Sequence, residues 1–216
     1  MPFSTFIFDL DGTLANTQLD LANAMNRVLS KHGYPLHSAE EYKYLVGKGL
    51  RNLVKGALPL QVQNSTNITL CLDEMMADYG HNYLIDTHIY DGIGEVLDCL
   101  QAKGVKVGVL SNKADAITQK IIKELFAKWT FDLILGLSDA FPRKPQADSI
   151  LYMCKQMGVK PQNVLYLGDS GVDMELAINA NIYGVGVLWG FRTAEELKQN
   201  GAKELIETPK EILKYL

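Results

Sequence analysis

The sequence predicts an α/β protein: a parallel sheet covered by helices on both faces, with an all-helical unit inserted after its first strand. Three observations predict it. From about residue 89 onward, short apolar runs alternate with helical patterns at the spacing of βαβ units. Those runs are nearly continuous in apolar character, as strands buried on both faces are. Residues 16 to 88, by contrast, read as helix almost throughout. The expected organisation is a core of residues 1–15 and 89–216 with a helical domain of residues 16–88 inserted into it.

Thr5-Phe6-Ile7-Phe8 is a β-prone run that stops at the polar turn Asp9-Leu10-Asp11-Gly12. A helix is expected from about 19 to 31, with apolar residues at Leu21, Ala24, Met25, Val28 and Leu29, ended by Gly33 and Pro35. Ser38 and Glu41 have the spacing of a capping box for the next helix, which Gly47-Lys48-Gly49 breaks. Leu50, Leu53, Val54 and Ala57 predict a short helix ending near Pro59, and 68 to 84 a longer one. In the second part, strands are expected at 105–110, 133–135, 164–167 and 183–188. Helices are expected at 93–103, 114–126, 146–157, 171–180, 194–199 and 209–215.

Composition narrows the function classes. The chain has 216 residues, 47% of them hydrophobic and 21% charged, enough apolar material for a sizeable core. The net charge is −4 and no basic block occurs, so neither nucleic acid nor an anionic membrane is an expected partner. Cys71, Cys99 and Cys154 are widely spaced and odd in number, which argues against a disulfide framework or zinc site. They are expected to serve as small buried apolar residues. With no basic n-region and no apolar run long enough to span a bilayer, the expected location is cytoplasmic.

Ligands of open α/β sheets bind beyond the carboxyl ends of the strands. The expected strand ends supply Asp9-Leu10-Asp11-Gly12-Thr13, Ser111-Asn112-Lys113, Arg143-Lys144-Pro145 and Gly168-Asp169-Ser170-Gly171-Val172-Asp173. Carboxylates, a hydroxyl, an amide and lysines converging on one rim suit phosphoryl transfer. A carboxylate approaching a phosphate oxygen is repelled by about 4 kcal/mol per charge pair at ~4 Å and an effective dielectric near 20. Such an attack needs a bound cation, and oxygen-only ligands favour Mg²⁺. Asp9 and Asp169 are the best candidate ligands; Asp11 could add its carbonyl, and Asp173 could hold a coordinated water. If the strand geometry persists, Asp9 and Asp11 face the same side, one as nucleophile and the other as general acid and base. Ser111, the Asn112 backbone and Lys144 would hold the phosphate oxygens. In the helical insertion, Lys48 and Arg51 are candidate substrate contacts, since a loop cation there could reach a carboxylate. Arg192, past the last expected strand, is a weaker candidate at the rim.

Asp-Leu-Asp-Gly-Thr-Leu at 9–14, Ser111-Asn112, Lys144-Pro145 and Gly168-Asp169 with Asp173 resemble the four motifs of the haloacid dehalogenase-like phosphatases. The resemblance spans the whole chain. It implies a Rossmann-like core with a helical cap, a nucleophilic Asp9, an acid/base Asp11 and phosphate contacts from Ser111, Asn112 and Lys144. It also implies Mg²⁺ at Asp9, Asp11 and Asp169. Within that family, Ser111-Asn112-Lys113, Val46-Gly47-Lys48-Gly49-Leu50-Arg51 and Gly186-Val187-Leu188-Trp189-Gly190 are similar to those of phosphoglycolate phosphatases. The expected activity is Mg²⁺-dependent hydrolysis of a small phosphate monoester through an aspartyl-phosphate intermediate. A β-phosphoglucomutase-like phosphotransferase and a pyrophosphatase of the same family use the same catalytic residues and are the alternatives. Asp11 argues against halide chemistry, because the dehalogenases of the family lack it. A phospho-aspartate switch domain would be shorter and has no use for Asp11.

Overall fold

The computed structural model describes residues 3–216. Six strands form a parallel sheet: β1 (Thr5–Phe8), β4 (Lys106–Ala114), β5 (Leu133–Leu137), β6 (Val164–Gly168), β7 (Tyr183–Val187) and β8 (Glu204–Ile206), in the order β5-β4-β1-β6-β7-β8. Strand β1 lies inside the sheet, with Thr5 opposite Lys106 of β4 on one side and Val164 of β6 on the other. The chain winds outward from β1 through β4 and β5, then returns to the other side for β6, β7 and β8. The winding therefore reverses beside β1, which opens a crevice at its carboxyl end. Every residue of β1 and β6 is buried, which explains their unbroken apolar character.

Between β2 (Ala15–Asn16) and β3 (His88–Ile89), which pair antiparallel, lie α1 (Gln18–Lys31), α2 (Ala39–Leu45), α3 (Leu50–Ala57) and α4 (Ser65–Asn82). The buried stripe of α1 (Leu21, Ala24, Met25, Val28, Leu29) follows helical spacing and packs against α4. Ser38 and Glu41 form the expected capping box at the start of α2. The buried Asp20 carboxylate braces the return of the chain by accepting from Asp86 N, Thr87 N and the Thr87 hydroxyl at 2.7–3.1 Å. One apolar cluster runs from these helices onto one face of the sheet; a second, around Ile7, Ile150, Met153 and Tyr166, covers the other face.

The helices α5 (Ile93–Ala102), α6 (Asp115–Leu125), α7 (Asp148–Gln156), α8 (Gly171–Asn179) and α9 (Ala194–Gln199) alternate with the strands. Helix α4 starts at Ser65, earlier than expected, because Asn64 caps it by accepting from Asn67 N at 2.9 Å. The final helix is a 3₁₀ segment, Pro209–Tyr215. Strand β8 was not expected: it is short, begins with a charge and sits at the sheet edge. Strands β2 and β3, two residues each, carry no periodicity that could announce them. All three cysteines are free, and Cys71 and Cys154 are buried as expected, but Cys99 is exposed. It falls on the outer side of α5, whose inner side is Ile93, Val96, Leu97 and Leu100. No described helix is long and apolar enough to cross a membrane.

Candidate active site

The crevice at the end of β1 gathers the expected strand-end residues. Past Phe8, the backbone turns through Asp9 and Asp11, with the N–H groups of Thr13, Leu14 and Ala15 all donating to Leu10 O. Asp9, Asp11, Ser111, Asn112, Lys113, Lys144, Asp169 and Asp173 are all buried. Carboxylate oxygens of Asp9, Asp169 and Asp173 lie within 4.8 Å of one another.

Lys144 joins two of these carboxylates. Its ammonium is 2.9 Å from Asp9 Oδ1 and 2.8 Å from Asp173 Oδ1. Asp173 Oδ1 also lies 2.9 Å from the Tyr166 hydroxyl, and its Oδ2 accepts from Ser170 N and Oγ at 3.1 and 2.6 Å. Both oxygens of Asp173 are thus engaged by protein donors. Asp169 accepts from Phe191 N at 2.7 Å through Oδ2. It is wedged between two glycines: a Cβ on Gly12 would lie 2.2 Å from Asp169 Oδ2, and one on Gly190 2.2 Å from Asp169 Cβ. Gly12 also has φ +80°, a conformation that disfavours side chains.

Asp11 stands apart from this cluster in its partners. Its Oδ1 accepts from Thr17 Oγ1 at 2.6 Å and from Lys113 Nζ at 2.9 Å. The strand does not persist to Asp11, so strand alternation is not what orients it; Thr17 and Lys113 do that. Lys113 is here because β4 runs on through Ala114, with an irregularity in its pairing between Leu110 and Ala114 that turns Ser111, Asn112 and Lys113 into the crevice. The Asn112 side chain accepts from Lys144 N at 2.8 Å and donates to Gly47 O at 3.1 Å, tying the loop after α2 to the site.

The electrostatics follow from crowding carboxylates away from water. Burial pushes the Asp9 carboxyl up to about 7; Lys144 opposes the rise, while Asp173 and Asp11 add to it. Burial, then Asp173 and Asp9, hold Asp169 well above the carboxylate range. Burial works against the Lys144 ammonium, but Asp173 and Asp9 outweigh it and keep it above the usual lysine range. Three close carboxylates facing one ammonium form an oxygen-only donor set short of positive charge. That fits a hard divalent cation.

A cavity opens over Asp9, Asp11, Ser111 and Asn112, walled by Leu21, Val46, Leu50 and Leu53. Lys48 and Arg51, the candidate cap contacts, do not line it; Arg51 is exposed and donates to Thr69 Oγ1 of α4 at 3.3 Å. Arg192 is buried and donates to Lys43 O, Tyr44 O and Val46 O, so it binds the end of α2 rather than facing the cavity. Sequence reasoning gave no role to Thr17, Lys113 or Tyr166. Only Lys113 carried a signal, its place directly after Ser111-Asn112; Tyr166 is hidden inside an apolar strand.

The sequence profile of the haloacid dehalogenase-like hydrolases matches residues 6–187. A phosphoglycolate phosphatase of Colwellia psychrerythraea is 30% identical over 212 residues, covering 96% of this chain and 94% of that protein. The crystal structure of a candidate phosphoglycolate phosphatase from Lactobacillus delbrueckii superposes with a TM-score of 0.92 at 29% identity, over 98% of this chain and 97% of the other. A haloacid dehalogenase-like family hydrolase from Streptococcus pneumoniae shares the fold, with a TM-score of 0.88 at 22% identity, over 99% of this chain and 98% of the other.

Proposed function

Because this chain belongs to the haloacid dehalogenase-like hydrolase family, we propose that it is a phosphatase that hydrolyses a small phosphoglycolate-like monoester through an aspartyl phosphate on Asp9. The observation that carries this reading is the pairing around β1. Asp9 and Asp169 are close enough to share a cation, Lys144 spans Asp9 and Asp173, and Asp11 is held separately at the cavity.

Asp9 and Asp169 would hold Mg²⁺ with the Asp11 carbonyl, and Asp173, whose oxygens are taken by protein donors, would act through Lys144. When bound, Mg²⁺ would offset the repulsion between the Asp9 carboxylate and the phosphate oxygens. In the first step an Asp9 carboxylate oxygen bonds to phosphorus as the ester P–O bond breaks. Asp11 gives its proton to the departing alkoxide, so the free alcohol leaves. In the second step Asp11 takes a proton from water, whose oxygen bonds to phosphorus as the bond to Asp9 breaks, releasing inorganic phosphate. The Lys144 ammonium, the Ser111 hydroxyl and the Asn112 N–H hold the other phosphate oxygens as charge redistributes. Thr17 and Lys113 keep the Asp11 carboxyl aimed at the cavity.

Residues 16–88 act as a cap. Val46, Leu50 and Leu53 from it wall the cavity and exclude bulk water from the first step. The likeness to relatives named phosphoglycolate phosphatase supports the substrate class. The test is phosphate release from 2-phosphoglycolate with Mg²⁺, together with trapping of the phosphoenzyme. Asp9→Asn should abolish both. Wild-type-like turnover by that variant, or a wild-type protein never phosphorylated at residue 9, refutes the mechanism.

A further inference from the structure

Among the described residues lining the cavity, Lys113 is the one cation. Lys144, which serves Asp9, Asp173 and the transferring phosphate, lies outside the lining, as do Lys48 and Arg51. The Lys113 side chain is 1% exposed, its ammonium 2.9 Å from Asp11 Oδ1 and 4.8 Å from the centre of the Tyr79 ring. From Asp11 outward, the wall is Leu21, Val46, Leu50 and Leu53. Beyond the reacting groups, a leaving group entering this space meets apolar side chains, the backbone of Gly47 and Gly49, and one fixed ammonium.

We infer that Lys113 is the specificity-determining residue, receiving the carboxylate of a short phosphorylated hydroxy acid beside the acid/base Asp11. The inference rests on the phosphatase reading above and names the residue that selects within it. Asp11 must reach the ester oxygen to protonate it. In a two-carbon hydroxy acid the carboxyl carbon lies two bonds from that oxygen, about 2.5 Å away. The substrate carboxylate therefore falls next to whatever stands next to Asp11, and that is Lys113. An ammonium has three N–H donors, more than Asp11 uses at its two oxygens. A carboxylate placed against the apolar wall without a cation would carry an uncompensated buried charge. A neutral leaving group needs no such partner, and with it Lys113 would serve Asp11 alone.

The experiment compares kcat/KM for 2-phosphoglycolate and for ethyl phosphate, which keeps the two-carbon leaving group and lacks the carboxylate, with Mg²⁺ present. Wild-type protein should prefer 2-phosphoglycolate by at least about tenfold, the scale of one charge-assisted hydrogen bond. Lys113→Met should erase most of that preference, cutting 2-phosphoglycolate turnover roughly 10–100-fold more than ethyl phosphate turnover. Lys113→Arg should restore part of it. Equal losses on both esters in Lys113→Met would show that Lys113 only positions Asp11, and would overturn the inference. So would a wild-type ratio near one, which decides the matter even if Lys113→Met does not fold. Hydrolysis of neither ester by wild-type protein would overturn the phosphatase reading and this inference with it.

Discussion

Replacing Asp9 by Asn should make the metal-free protein more stable at pH 8 while destroying its activity. Burial raises the Asp9 carboxyl from 3.8 to about 7. In the unfolded chain this carboxyl ionises near pH 4, but in the folded one only near pH 7. Between those limits the native state binds more protons, so stability falls as pH rises through the window. One pKa unit corresponds to about 1.4 kcal/mol, so above pH 7 the buried Asp9 charge costs about 4 kcal/mol. Asn fills nearly the same volume without the charge. Lys144 then loses one carboxylate but keeps Asp173 at 2.8 Å, so the net recovery is smaller, roughly 1–3 kcal/mol. For a chain of 216 residues this corresponds to about 3–10 °C in Tm. Scanning calorimetry of both proteins in EDTA at pH 5, 6.5 and 8 measures it. The gain should be largest at pH 8 and shrink toward pH 5, where much of native Asp9 is already protonated. Added Mg²⁺ should stabilise the wild type more at pH 8 than at pH 5. A variant no more stable than wild type at pH 8, or a gain that grows as pH falls, would refute the reasoning.

Gly12→Ala combines a positive φ with a Cβ 2.2 Å from Asp169 Oδ2. It should cost about 1–3 kcal/mol of stability by thermal melting and weaken Mg²⁺ binding by at least about tenfold in calorimetric titration. Arg192→Ala removes a buried guanidinium from the carbonyls of Lys43, Tyr44 and Val46. Amide exchange over residues 43–49 should speed up about 10–100-fold while β1 and β6 stay protected, and Arg192→Lys should recover part of the effect.

Much of the candidate site was legible because its residues sit where strand patterns stop. Asp9, Ser111 and Asp169 follow the apolar runs of β1, β4 and β6, and a polar residue at such a point has few roles in an α/β sheet other than meeting a ligand. The capping box at Ser38 and the stripe of α1 were readable for a similar reason, since each depends on neighbours within a turn or two. Strand β8 and the continuation of β4 through Lys113 were not. The first is held by pairing with β7, and the second is a polar stretch kept extended by its place beside β5.

The sequence by itself determined the chemistry on offer: an acidic turn after the first strand, a hydroxyl, a lysine before a proline and a second acidic turn, carried by alternating strands and helices. Only the tertiary structure decided how these groups are wired. It joined Lys144 to both Asp9 and Asp173, gave Asp11 to Lys113 and Thr17, and turned Arg51 and Arg192 away from the cavity. Periodicity records which way a side chain faces along its own element. Which distant side chain it meets depends on strand order and register, and these are fixed only when the sheet closes around β1 and the helices pack against it.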